Sequence, residues 1–181
     1  MKNLLFACLL SVFLCLSIQG QAPRPMTFDD IMALKTVANT AISPDGKFIA
    51  YTVSYADMKE NERRTEIWMV AANGGQARRF TYGKNDTAPQ WSPDGTRIAF
   101  ASQASGNLDI YIMETSGSQR RRLTYHSRNS LSPSWSPDGM YIAFVFEGFN
   151  GYEIHVVGAD GSGERRISYA GVAGSTPLWL P

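Results

Sequence analysis

Apolar residues cluster in short runs set off by polar turns, and the same order of runs recurs down the chain. Phe48-Ile49-Ala50-Tyr51, Ile98-Ala99-Phe100 and Ile142-Ala143-Phe144 each follow a Ser-Pro-Asp-Gly tetrapeptide, at residues 43–46, 92–95 and 136–139. A further run in each unit begins with an acid: Glu66-Ile67-Trp68-Met69-Val70, Asp109-Ile110-Tyr111-Ile112-Met113 and Glu153-Ile154-His155-Val156-Val157. A glycine-bearing turn (Asn73-Gly74-Gly75, Ser116-Gly117-Ser118, Asp160-Gly161-Ser162) then leads to Arg78-Arg79-Phe80-Thr81, Arg121-Arg122-Leu123-Thr124 or Arg165-Arg166-Ile167-Ser168. Runs this short, bounded by turn residues, read as strands rather than helices.

With the segment that enters each tetrapeptide and ends in Ile-Ser or Trp-Ser, a unit holds four strands. Trp91 and Trp135 precede the second and third tetrapeptides 44 residues apart, and Trp179 stands another 44 on. The repeat divides the chain into 41–88, 89–132 and 133–176, with 177–181 as the truncated start of a fourth unit. The pattern predicts an all-β protein, a β-propeller of four-stranded blades with three complete repeats and the start of a fourth.

The tetrapeptide suits a type I turn closing the first hairpin: proline pre-sets φ at the second position, and glycine accepts the left-handed conformation at the fourth. One carboxylate per turn is too few for a calcium loop. Trp91 and Trp135 are expected to wedge between neighbouring blades, with Ile42 in that place in the first unit. The Arg-Arg pairs fall on the last strand of each unit. There they are expected to discourage edge-to-edge pairing, since nucleic-acid binding wants a concentrated basic stripe with stacking aromatics.

Two segments depart from the repeat. Within the lead-in 21–40, Thr27-Phe28-Asp29-Asp30-Ile31-Met32-Ala33-Leu34 predicts a short helix, with Thr27 as its cap, Asp30 at its positive end and Phe28, Ile31 and Leu34 on one face. The polar stretch 54–65 reads as a solvated loop that lengthens the first unit.

The first twenty residues predict a signal peptide. Lys2 supplies the positive end, residues 4–16 an apolar run of about 13 residues, and Ile18 and Gly20 a cleavage site. Cleavage after Gly20 implies a secreted or periplasmic protein, with no membrane attachment thereafter. Both cysteines, Cys8 and Cys15, lie in that segment, which excludes disulfides and thiolate chemistry from the mature chain. A net charge of +1 provides no field for nucleic acid or anionic lipid.

Catalytic chemistry is not visible. A G-x-S-x-G window is missing, as are a phosphate-cradling loop and a dinucleotide fingerprint. His126 is expected in a loop and His155 inside a strand, each as a surface or packing residue, and two histidines alone make no histidine-based metal cluster. Asn85-Asp86-Thr87 fits a glycosylation sequon. No catalytic, cofactor-binding or metal-binding residue is assigned, and no cofactor is expected.

The Trp-Ser-Pro-Asp-Gly-x-x-Ile-Ala-Phe units resemble the propeller repeats of the TolB family and of the prolyl oligopeptidase family of serine peptidases. Residues 28–35, running almost directly into 41–51, together with Arg64-Thr65-Glu66-Ile67-Trp68-Met69-Val70 and Gly74-Gly75, look like the start of a secreted dipeptidyl-peptidase or acylaminoacyl-peptidase type enzyme. A TolB protein would place a separate α/β domain ahead of its propeller. The peptidase resemblance implies a propeller that caps a C-terminal α/β-hydrolase domain and screens peptide substrates by size. None of the family's catalytic positions falls in this chain. The TolB resemblance implies instead a propeller that binds a protein partner.

Overall fold

A computed structural model describes residues 24–168 and 176–180. The signal-peptide expectation for residues 1–20, including cleavage after Gly20, lies outside the described residues. Among the described residues, twelve strands form three four-stranded antiparallel sheets. The first holds β1 (Thr36–Ile42), β2 (Phe48–Asp57), β3 (Glu62–Ala71) and β4 (Arg78–Arg79). The second holds β5 (Asp86–Trp91), β6 (Arg97–Ser102), β7 (Asp109–Glu114) and β8 (Arg121–Arg122). The third holds β9 (Ser130–Trp135), β10 (Tyr141–Gly148), β11 (Gly151–Gly158) and β12 (Arg165–Arg166). Each sheet follows chain order, and the inner strands β1, β5 and β9 lie side by side. This is the blade arrangement of a propeller.

The period-2 alternation of β6 explains how the blades stack. Ile98 and Phe100, with Tyr111 and Met113 of β7, pack on Ala50, Ile67, Met69 and Phe80 of the first blade. Ala99 and Ala101, with Ile110, Ile112 and Leu123, pack on Trp135, Ile142, Phe144, Val157 and Ala159 of the third. Successive side chains point to opposite faces of a sheet, so the middle blade buries both faces. The core therefore consists of two seams between blades.

Tryptophan closes each seam as expected. Trp91 Nε1 donates to Ala41 O at 3.0 Å, Trp135 Nε1 to Gln90 O at 3.1 Å and Trp179 Nε1 to Ser134 O at 3.0 Å. Each indole thus reaches the inner strand of the preceding blade. Ile42, in the same repeat position, is exposed.

The tetrapeptide forms the turn its residues dictate. Gly46 N, Gly95 N and Gly139 N each donate to the serine carbonyl three residues back, and each glycine has φ of 70°. The serine Oγ donates to the aspartate at 2.6 Å in all three turns. That bond, with the backbone N–H two residues beyond the aspartate, holds the carboxyls of Asp45, Asp94 and Asp138 below the usual carboxylate range, Asp45 at about 2. Each inner strand also carries a bulge beside a non-glycine residue of positive φ: Asn39 at 48°, Ala88 at 51° and Ser132 at 50°.

One expectation needs correction. The stretch 54–65 is not a free loop: β2 and β3 stay paired from Phe48↔Ala71 out to Asp57↔Glu62. The pairing is held at its tip by Arg64 Nε to Asp57 at 2.7 Å and by a hydroxyl bond between Ser54 and Thr65 at 2.8 Å. Polar residues there decorate an extended hairpin, because a strand tip beyond the core needs no apolar face. The expected helix forms over Phe28–Met32 with the Thr27–Asp30 capping box in place, and Phe28, Ile31 and Leu34 are exposed.

Candidate functional site at the blade seams

A carboxylate–arginine pair sits in the outer half of every blade. Glu66 is buried and meets Arg79 Nη2 at 2.6 Å, with the Tyr55 hydroxyl donating to it at 2.6 Å. Asp109 is buried and meets Arg122 Nη2 at 2.8 Å, with Thr124 and Ser105 hydroxyls at 3.0 and 2.7 Å. Glu153 meets Arg166 Nη1 at 3.2 Å. A hydroxyl from the same segment closes the pattern: Thr81, Thr124 and Ser168 accept from the backbone N–H of Ile67, Ile110 and Ile154. The first arginine of a pair crosses to the next blade. Arg78 donates to Thr115 O at 2.8 Å, and Arg121 to Ala159 O and Asp160 O at 2.5 and 2.7 Å.

Arg78, Arg79, Arg121, Arg122 and Arg166 are thus structural ties as well as charges on the outer strand of each sheet. A buried carboxylate needs a paired, hydrogen-bonded cation, and the outer strand is where the chain supplies one. The signal was available in the sequence: the acid precedes the second arginine by 13 residues in all three units.

The two seams differ at four positions related by the 44-residue repeat. At the first seam stand Asp86, Ser102, Tyr111 and Arg120; at the second, Ser130, Phe146, His155 and Glu164. Arg120 stacks over Tyr111 at 4.7 Å, donates to Ser102 Oγ at 2.7 Å and lies 3.6 Å from the buried Asp86. Asp86 in turn accepts from Gly83 N at 3.0 Å, and any side chain at Gly83 would collide with its carboxylate.

At the second seam Ser130 replaces that carboxylate, and His126 follows the Thr-Tyr pair where Gly83 does in the preceding unit. His126 Nε2 lies 2.6 Å from Glu164 Oε1, and His155 Nδ1 lies 3.2 Å from the same oxygen. His155 Nε2 lies 3.2 Å from Glu153 Oε2, and this bond is the main reason the Glu153 carboxyl is held below its usual range. Both imidazoles rest on Phe146, with ring centroids at 4.5 and 5.0 Å. Sequence reasoning kept the two histidines apart; the stacking of the third blade against the connection that leaves the second brings them together, both rings lying against Phe144 and Phe146.

On the face formed by the tetrapeptide turns, a groove of about 730 Å³ runs between the first two blades. Phe48, Met69 and Trp91 give it an apolar floor, and Asp45, Asp94 and Arg78 a charged rim. Asn85 of the glycosylation sequon is half-buried, and its side-chain amide donates to Gln103 Oε1 at 2.5 Å. No helix among the described residues is long and apolar enough to cross a membrane.

Residues 32–181 match the family model of the TolB β-propeller domain. The chain belongs to that family. It is 37% identical over 101 residues to the uncharacterized peptidase YuxL of Bacillus subtilis, a match spanning 55% of this chain and 15% of the relative. It is also 37% identical over 86 residues to dipeptidyl-peptidase 5 of Porphyromonas gingivalis, spanning 47% of this chain and 13% of that one. Among solved structures, the β-propeller domain of the trilobed protease from Pyrococcus furiosus superposes with a TM-score of 0.60 at 18% identity, covering 75% of this chain and 44% of that domain. The matched region is thus about a seventh of the length of these curated relatives.

Proposed function

We propose that these residues form the substrate-screening propeller of an exported serine peptidase acting on peptides. The nucleophile and its partners would be carried by an α/β-hydrolase domain outside residues 1–181. The observation that carries this reading is the run of identity with two proteins named as peptidases, at 37% in each case. It is reinforced by the chain's own chemistry: both histidines direct ring nitrogens at glutamates rather than at a serine hydroxyl. The architecture, a stack of sheets with a groove of mixed polarity on its turn face, supports the screening role. Export with cleavage after Gly20 completes the proposal and rests on the sequence of the first twenty residues.

The second reading, a TolB-like scaffold that binds a protein partner, is favoured by the family to which residues 32–181 belong. One experiment separates the two. The native protein is isolated from the extracellular or periplasmic fraction, its intact mass is measured, and it is assayed on dipeptide–chromophore substrates. A mass well above 20.0 kDa with serine-inhibitor-sensitive hydrolysis supports the peptidase. A protein without hydrolysis that co-purifies with a stoichiometric partner supports the scaffold. N-terminal sequencing of the same sample tests cleavage after Gly20.

A further inference from the structure

We infer that the second seam holds a divalent transition-metal site, built by His126, His155 and Glu164 and suited to zinc. The ligand atoms of these three side chains all lie within 4.8 Å of one another. The argument begins with an imbalance of donors and acceptors. His155 faces a carboxylate oxygen from each ring nitrogen, Glu164 from Nδ1 and Glu153 from Nε2, both at 3.2 Å. A neutral imidazole has one N–H and one lone pair, and an ionised carboxylate only accepts. One of the two contacts therefore sets a lone pair against an anion unless positive charge lies between them. His126 Nε2 points at the same oxygen of Glu164, so the positive charge is called for at the point where all three side chains converge.

A zinc ion meets that demand with a small adjustment of the geometry present. Zinc takes imidazole nitrogen and carboxylate oxygen at about 2.0–2.2 Å, which in a tetrahedral site places ligand atoms about 3.3 Å apart. His155 Nδ1 and Glu164 Oε1 stand at 3.2 Å. The 2.6 Å separation of His126 Nε2 from that oxygen must open by about 0.7 Å. Glu153 is placed to accept from the other ring nitrogen of His155, and Arg166 ties down its second oxygen at 3.2 Å. A carboxylate behind a ligating histidine is the usual outer support of a zinc site, fixing tautomer and ring direction. Phe144 and Phe146 cover the imidazoles from within, while side-chain exposures of 25% and 26% at His126 and Glu164 leave an entry from solvent. The fourth position is left to water or to a partner's ligand.

The repeat supplies the control. The first seam has Tyr111 and Arg120 where the second has His155 and Glu164, so a protein-made cation at one seam is matched by a place for a bound cation at the other. The ion would tie the chain leaving the second blade, at His126, to the third blade, at His155 and Glu164.

The test is calorimetric titration of the metal-stripped protein with zinc at pH 7.5, beside H155Y and E164Q. H155Y installs the residue that the second blade already folds around. One equivalent should bind, with both substitutions weakening binding at least tenfold and E153Q weakening it by about 10- to 100-fold. Zinc should also raise the Tm of the unsubstituted protein, reversibly on chelation, and cobalt in its place should show the visible bands of a low-coordinate nitrogen–oxygen site. An unchanged Tm with no saturable heat overturns the proposal and leaves a proton as the shared charge. So does zinc binding of equal strength in properly folded H155Y and E164Q.

Discussion

The two seams use the same strands, the same closing tryptophan and the same repeat positions, but they balance buried charge differently. At the first, Arg120 lies against a buried carboxylate, and glycine at 83 makes room for that carboxylate. At the second, the buried carboxylate is replaced by Ser130, the arginine by Glu164, and the cleared space is filled by two imidazoles. The apolar part of each seam is conserved in kind, while the polar rim has exchanged the sign of its charge. Packing therefore fixes how blades stack, and the rim is free to acquire chemistry without disturbing the stack.

The comparison can be broken most directly at the tryptophans. Trp135 is buried at 8% exposure, and W135A should cost about 3–5 kcal/mol. Trp91 is only half-buried, so W91A should cost less. Equal losses in thermal unfolding would show that the seams pack alike despite their different exposure.

Arg120 and Glu164 come next, since they occupy one repeat position with opposite charge. R120A leaves Asp86 buried beside no cation and should cost about 3 kcal/mol, as expected for a buried pair deprived of one partner. E164Q keeps its shape, is partly exposed and should cost less than about 1 kcal/mol. If the second loss matched the first, Glu164 would have to be part of the fold rather than of its rim.

The turns at the rims of both seams predict an acid response with a defined sign. Asp45, Asp94 and Asp138 have folded-state pKa values below those of the unfolded chain, so the unfolded state takes up protons first as pH falls. The Asp45 contribution is complete above about pH 4 and is lost on descending towards about 2, and those of Asp94 and Asp138 are lost in the same direction. The Tm should fall across that window, and less steeply in D45N. Smallest of all, A88G relieves a positive φ of 51° at the first seam and should stabilise by about 0.5 kcal/mol, with S132G, at 50°, doing the same at the second. A loss in either variant would mean that the side chain, not the bulge, is needed there.

The propeller was legible because its signals are local and repeated. Ser-Pro-Asp-Gly states a turn, Ile-Ala-Phe a strand buried on both faces, and the recurrence of both at one spacing states a stack of blades. The extended hairpin was misread because residues 54–65 lack an apolar face, and hydropathy cannot tell a strand tip beyond the core from a loop. The arginine ties were missed because their meaning depends on which acid they meet, a relation across 13 residues rather than between neighbours. The imidazole cluster was illegible for a stronger reason. His126 belongs to a connection, His155 to a strand centre and Glu164 to a strand approach, and only blade-to-blade stacking makes them neighbours.

The indole bonds also give the stack a direction in time. Trp91, Trp135 and Trp179 each donate the indole N–H back to a carbonyl of the blade made before, at Ala41, Gln90 and Ser134. A newly emerging blade thus finds its docking acceptor already in place, and the forward ties of Arg78 and Arg121 close once it has formed. A chain delivered amino-terminus first can order itself unit by unit as it arrives, each finished sheet serving as the template for the next.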